Sequence, residues 1–175
     1  MMEASVTIAA RSWLAAPTRE RGRVADGVHC SPARSLAEQI AQIFAEAKKN
    51  GTSFAFLTVD LDHFKEANDL FGHVIGDVAI ARRLKHAADD AFLARMGSDE
   101  FTLILATGNR PKAAQALANR LLNAVAKPFE VRGHQIPIGL SVGGTIYPQD
   151  ATDINSLIAN ADAACSAPKP MAATW

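Results

Sequence analysis

The stretch Asp60-Leu61-Asp62-His63-Phe64-Lys65-Glu66-Ala67-Asn68-Asp69-Leu70-Phe71-Gly72-His73-Val74-Ile75-Gly76-Asp77 decides how this chain is read. Just before it lies Phe54-Ala55-Phe56-Leu57-Thr58-Val59, a short apolar run bounded by Gly51 and Asp60. Its length and its aromatic and β-branched content predict a buried strand rather than a helix. Asp60 and Asp62 then stand at the exit of that strand. Downstream, Ala91-Phe92-Leu93-Ala94-Arg95 and Phe101-Thr102-Leu103-Ile104-Leu105 flank Met96-Gly97-Ser98-Asp99-Glu100, the pattern of a β-hairpin. Carboxylates at a strand exit and in a neighbouring turn can meet at one edge of a sheet. Oxygen donors of this kind suit Mg²⁺, which takes a few carboxylates and keeps its other positions for water and phosphate oxygens. Two such ions about 3.5–4 Å apart can clamp an in-line phosphoryl transfer. Taken alone, Asp-x-Asp is weak, because acidic residues at strand ends are most often solvated turn residues.

Working outward, Ser35-Leu36-Ala37-Glu38 reads as a capping box that opens a helix ended by Gly51. Val74, Val78, Ala81 and Leu84 return at helical spacing, as do Leu117, Leu121 and Val125 behind Pro111, a residue suited to a first helical position. Phe129-Glu130-Val131 and Gln135-Ile136 flank Arg132-Gly133-His134 as a second hairpin. Ile138, Leu140 and Val142 alternate with Gly139, Ser141 and Gly143 in a half-buried strand that reaches Tyr147. Thr152 or Asp153 caps a last helix, closed by Pro168. This order of elements predicts an α/β fold with helices packed on a central, largely antiparallel sheet.

The chain has 175 residues, enough for one core, and 49% are apolar against 21% charged. Eighteen Lys and Arg balance eighteen Asp and Glu, so no global basic field exists to attract nucleic acid or anionic lipid. A polyanionic ligand would need metal ions or a local basic cluster. No apolar run approaches the roughly 20 residues of a membrane span. Cys30 and Cys165 form no CxxC pattern, which argues against a disulfide framework and a zinc site. The expectation is a cytoplasmic protein without a nucleic-acid partner or a membrane span. Residues 1–25 read as a linker or upstream remnant, 26–169 as the domain and 170–175 as a tail.

The long stretch from Asp60 to Asp77 resembles the first signature of the GGDEF family, the diguanylate cyclases, in which D-x-D-x-F-K-x-x-N-D-x-x-G-H-x-x-G-D recurs. Arg95-Met96-Gly97-Ser98-Asp99-Glu100-Phe101 resembles the R-x-G-G-D-E-F hairpin at the correct distance after it. Ser141-Val142-Gly143, Tyr147-Pro148 and Ala161-Asp162-Ala163-Ala164 match later landmarks, and Asp26, Pro32 and Arg34 mark a worn entry motif. The resemblance implies a five-stranded sheet flanked by helices, related to nucleotide cyclase and polymerase palm domains. It implies condensation of two GTP into cyclic di-GMP by two domains facing each other as a homodimer, with Mg²⁺, or Mn²⁺ in its place. An upstream sensory domain and a partner phosphodiesterase domain are the companions it suggests.

Carried over by position, the resemblance makes Asp60, Asp99 and Glu100 the catalytic carboxylates. The same three, with the Leu61 carbonyl, would be metal ligands. Lys65, Arg95 and Lys169 would meet the phosphates, and Asn68 and Asp77 the guanine edge. Phe64, His73, Gly97 and Ser98 would line the GTP site. Three departures bear on activity. Ser98 replaces the second glycine of the motif, where a side chain has little room and a positive φ would be strained. The R-x-x-D product-inhibition site is missing, its Arg and Asp positions falling on Ala88 and Ala91. Pro168 precedes Lys169 where the helix would have to continue. These departures leave an alternative to the cyclase: a degenerate domain that binds GTP or serves as a regulatory module without turnover.

Overall fold

A computed structural model of the chain describes residues 33–62, 64, 73–89, 91–106, 110–131 and 133–167. The described elements are α1 (Ala33–Asn50), β1 (Phe54–Asp62), α2 (His73–Ala88), β2 (Phe92–Arg95) and β3 (Glu100–Leu105), followed by α3 (Arg110–Ala126), β4 (Phe129–Val131), β5 (His134–Ile136), β6 (Gly139–Tyr147) and α4 (Ile154–Cys165). Four strands form an antiparallel sheet in the order β2-β3-β1-β6. The expected α/β fold is present. Among the described residues, however, the central sheet has four strands rather than five, because β4 and β5 pair only with each other as a separate two-stranded ribbon.

β1 is the centre of the sheet, and its two faces are covered by different helices. Ala55, Leu57, Val59 and Leu61 pack with Ile80, Ala81 and Leu84 of α2 and Leu117, Leu121 and Val125 of α3. Phe54 and Phe56 point the other way, into a cluster with Leu36 and Ile40 of α1 and Leu157 and Ala161 of α4. Burial on both faces explains why the strand reads as an unbroken apolar run instead of an alternation. Only towards its end, at Asp60 and Asp62, do side chains become partly exposed.

Helix ends follow local rules with two exceptions. Gly51 ends α1 at φ +63°, and the Thr52 amide donates to the Ala47 carbonyl at 3.0 Å, closing the last turn in the left-handed manner glycine permits. The expected capping box is displaced: α1 opens at Ala33, two residues before Ser35, so Ser35 lies inside its first turn. For α4 the cap is Asp153 and not Thr152. Its carboxylate accepts from the Ser156 amide at 2.9 Å and from the Ser156 hydroxyl at 2.6 Å. The second exception is α3, which has no basic residue in its last turn. The end of α3 is held from α2: the Arg83 guanidinium donates to the Ala124 carbonyl in its last turn and to the Lys127 and Pro128 carbonyls just beyond it, and lies 3.8 Å from the Phe129 ring centroid.

α4 lies close against the sheet at Gly143. A Cβ there would run into the Ala161 carbonyl and the Cys165 backbone. Gly143→Ala should therefore lift α4 from β6 and cost about 1–3 kcal/mol or more in a urea titration, as overpacking does. The hydrogen bonds from Ser156 hold the Asp153 carboxyl below its ordinary value of 3.8. A depressed carboxyl pKa contributes stability above the unfolded value and loses it as pH falls through the folded one. The gap in melting midpoint between the wild type and Asp153→Ala should thus be full at pH 7 and shrink once the pH drops below 3.8.

Candidate active site

The register of β1 brings the carboxylates together. Asp60 is the direct cross-strand partner of Glu100 on β3 and of Ser141 on β6. Residues directly opposite in an antiparallel pair share a face, with Cβ atoms about 4.5–5.5 Å apart. Two carboxylates in that relation repel each other, so they contribute no stability of their own to the pairing. The turn between β2 and β3 is tied to the same strand: the Leu61 amide donates to the Asp99 carbonyl at 3.0 Å. Asp60 and Glu100 consequently lie side by side at the end of β1, and the backbone of Asp99 is tied to the same strand.

The turn is braced internally. Met96 and Gly97 amides both donate to the Glu100 carbonyl, at 2.9 and 3.3 Å. Arg95 donates through Nε to the Gly97 carbonyl at 2.9 Å and through Nη2 to the Ser98 carbonyl at 2.6 Å. The guanidinium thus holds the turn's backbone, a task separate from the phosphate contact that sequence position suggests. A Cβ on Gly97 would sit 3.3 Å from Glu100 Oε2 and 3.8 Å from Asp99 Oδ1, so both carboxylates border the same point of the turn. Ser98 is exposed, and its hydroxyl donates to Asp99 Oδ1 at 2.8 Å. Its backbone carries no strain: among the described non-glycine residues only Asp89 has a positive φ. The expected conformational penalty for serine at this position does not arise.

Asp62 belongs to the sheet more than to the site. Its Oδ1 accepts from the Ser141 hydroxyl at 2.9 Å, and its carboxylate lies against Gly139, where a Cβ would meet it. Two residues not singled out for the site from sequence stand under the carboxylate edge. Asp162 of α4 accepts from the Thr58 hydroxyl at 2.9 Å. Cys165 donates to the Ser141 carbonyl at 3.5 Å, and its thiol is pushed up to about 11, first by burial and then by the negative charges of Asp60 and Asp162. It is a neutral thiol at physiological pH. A threonine inside an otherwise apolar strand was the signal for the first of these. Nothing local in the sequence marks the second.

Among the described residues, no three Asp, Glu, His or Cys side chains converge closely enough to enclose a metal ion. Asp60 and Glu100 nonetheless fit Mg²⁺, which takes hard oxygen donors and needs only one or two carboxylates when phosphate and water complete its shell. Phe64 is 1% exposed and packs in the larger core cluster. His73 and Asp77 fall in the first two turns of α2, and Asp77, the fifth residue, is too far inside to be its N-cap. Lys65, Asn68 and Lys169 lie outside the described residues. Ala88 and Ala91, at the positions of the product-inhibition motif, are 0% and 3% exposed within the core.

The family model described as "Diguanylate cyclase, GGDEF domain" matches residues 32–172. The chain belongs to the GGDEF family. An uncharacterized signaling protein of Caulobacter vibrioides is 42% identical over 74% of this chain and 17% of its own length. The bifunctional diguanylate cyclase/cyclic di-GMP phosphodiesterase MucR of Pseudomonas aeruginosa is 34% identical over 93% of this chain and 24% of its own. This GGDEF chain thus spans about a quarter or less of the length of these relatives. Among solved structures, a sensory box/GGDEF family protein from Caulobacter crescentus superposes with a TM-score of 0.70 at 38% identity, covering 82% of this chain and 96% of that one. The GGDEF assignment makes this a domain of cyclic di-GMP-related signalling. Among the described residues, no helix is long and apolar enough to cross a membrane.

The brace on the GGDEF turn should be specific to the guanidinium. Arg95→Lys keeps the charge but cannot span the Gly97 and Ser98 carbonyls with one planar fork. Amide hydrogen exchange at Leu61 and Met96 should quicken in that variant, with a stability loss of about 1 kcal/mol.

Proposed function

We infer that this domain is a diguanylate cyclase that condenses two GTP into cyclic di-GMP, with two copies facing each other. Each 3′-hydroxyl attacks the partner nucleotide's α-phosphate, forming a new P–O bond and releasing pyrophosphate. The observation that carries this reading is the direct opposition of Asp60 and Glu100 at an edge shared with Asp99. Bound Mg²⁺ would supply charge neutralisation at the phosphates, where phosphoryl transfer is governed by positioning and electrostatics. Asp60, Asp99, Glu100 and the Leu61 carbonyl would hold it, and Glu100 would also help draw the proton from the 3′-hydroxyl. Lys65, Arg95 and Lys169 would meet the phosphates, with Gly97 leaving room beside them. Asn68 and Asp77 would read the guanine edge, as an amide and a carboxylate can. With methyl groups at Ala88 and Ala91, product would not bind tightly beside β2.

A second reading is a nucleotide-binding regulatory module without turnover. The hydrogen bond from Ser98 to Asp99 favours it, because it engages a carboxylate that catalysis needs.

Incubation of the protein with GTP and Mg²⁺, followed by separation of nucleotides, tests the first reading. Cyclic di-GMP and pyrophosphate should form, and Asp60→Asn should abolish both. Asp77→Ala should weaken GTP binding more than inorganic triphosphate binding, since only the base contact is lost. GTP bound without turnover would support the regulatory module.

A further inference from the structure

The outer sides of α2 and α3 carry charge of one sign. From Val78 to Ala88, α2 has Arg82, Arg83, Lys85 and His86 and no acidic residue. α3 has Arg110, Lys112 and Arg120, again with no acidic residue, and Lys127 follows it directly. The two helices pack side by side and antiparallel. Arg83 reaches the end of α3, while Arg120, a turn earlier on α3, donates to the Ala87 carbonyl, a turn later on α2, at 3.1 Å. Both arginines thus tie the seam through neutral carbonyls, which leaves their charge unmatched by these bonds. Beside the seam, Arg82, Lys85, His86, Lys112 and Lys127 are exposed. The next carboxylates along the chain, Asp89 and Glu130, come only after the two helices end. A chain of zero net charge therefore holds a local cationic face, made by segregating its charges. α3 adds Leu122, which at 42% exposure is the one large exposed apolar side chain among the described residues.

We propose that the outer face of α2 and α3 is a docking surface for an anionic phospholipid membrane, with the cations at the headgroups and Leu122 at their boundary with the acyl chains. Cations held near an anionic leaflet are drawn to it over about a Debye length, and salt weakens the attraction. Two antiparallel helices locked together by Arg83 and Arg120 present their charges along a broad face, which matches a plane of headgroups. An exposed leucine among cations favours lipid over a purely polar polyanion, because only the lipid surface offers hydrocarbon beside charge. The chain needs no spanning helix for this contact.

The test is co-sedimentation of the protein with vesicles of equal parts phosphatidylcholine and phosphatidylglycerol, at low and at high salt. Pure phosphatidylcholine vesicles and beads bearing poly-L-glutamate run alongside. Binding to the anionic vesicles alone, weakened by salt, is the expected result. Arg82→Gln combined with Lys85→Gln removes two exposed charges and should bind roughly thirtyfold more weakly. Leu122→Asn should bind severalfold more weakly. Lys48→Gln combined with Lys49→Gln removes the same charge from the exposed last turn of α1, on the other side of the sheet, and should bind as the wild type does. Equal losses in the two double variants would overturn the assignment of this face in favour of an effect of net charge. Unchanged binding in Leu122→Asn, or retention on poly-L-glutamate and not on vesicles, would overturn the lipid surface in favour of an acidic polypeptide. Failure of the wild type to bind anionic vesicles at low salt would overturn the proposal outright.

Discussion

The antiparallel register that sets Asp60 opposite Glu100 is the constraint on which the rest depends. Side chains alternate along a strand, so a slip of one residue would exchange the two faces of β1. Both faces are committed: Val59 and Leu61 to the cluster under α2 and α3, Phe54 and Phe56 to the cluster under α1 and α4. The core therefore fixes where the carboxylates stand. They do not gather through any attraction of their own, and directly opposed like charges oppose the pairing. Burial elsewhere offsets this local repulsion, as happens where a functional site breaks a local rule.

The same packing reaches the site from below. Close approach of α4 at Gly143 brings Asp162 beneath Thr58 and sets Cys165 near Asp60. The negative potential around Asp60 thus comes from a helix as well as from two strands. Burial first, and then this potential, keep the Cys165 thiol protonated, and the potential would favour a cation at this edge. The turn that carries Asp99 is tied to β1 through the Leu61 amide and braced internally by Arg95. The Ser98 hydroxyl donates to the Asp99 carboxylate on that turn.

Much of this was legible in the sequence, and the limits are physical. The apolar run before Asp60, the hairpin around Gly97 and Ser98 and the helical stripes around Leu84 and Leu121 carry strong periodic or turn signals, and each became the expected element. Asp153 and Thr152 were equivalent as caps until the hydrogen bonds with Ser156 separated them. The Ser35 box failed because a cap motif is only local, and the helix already runs at Ala33. Arg83 was invisible as a brace because the carbonyls it serves lie at the end of another helix and in the two residues after it. The strain expected at Ser98 was inferred from glycine in the family motif, yet glycine there can serve for space without a positive φ. Of the site itself, the meeting of Asp60 at a strand exit with Glu100 in the hairpin was readable from strand and turn positions, whereas the partners of Asp62 and Asp99 depended on contacts made only on folding.

A double-mutant cycle across Asp60 and Glu100, each changed to Ala singly and together, tests whether this edge takes a cation. Unfolding free energies would be measured without divalent cation and again at saturating Mg²⁺. The cycle isolates the pair from whatever else each residue contacts. Without cation the coupling should be unfavourable, on the order of 0.2–1 kcal/mol, as for like charges directly opposed. With Mg²⁺ it should change sign, because a shared cation converts the repulsion into a common attraction. A coupling of the same sign and size under both conditions would contradict the assignment of this edge as a cation site.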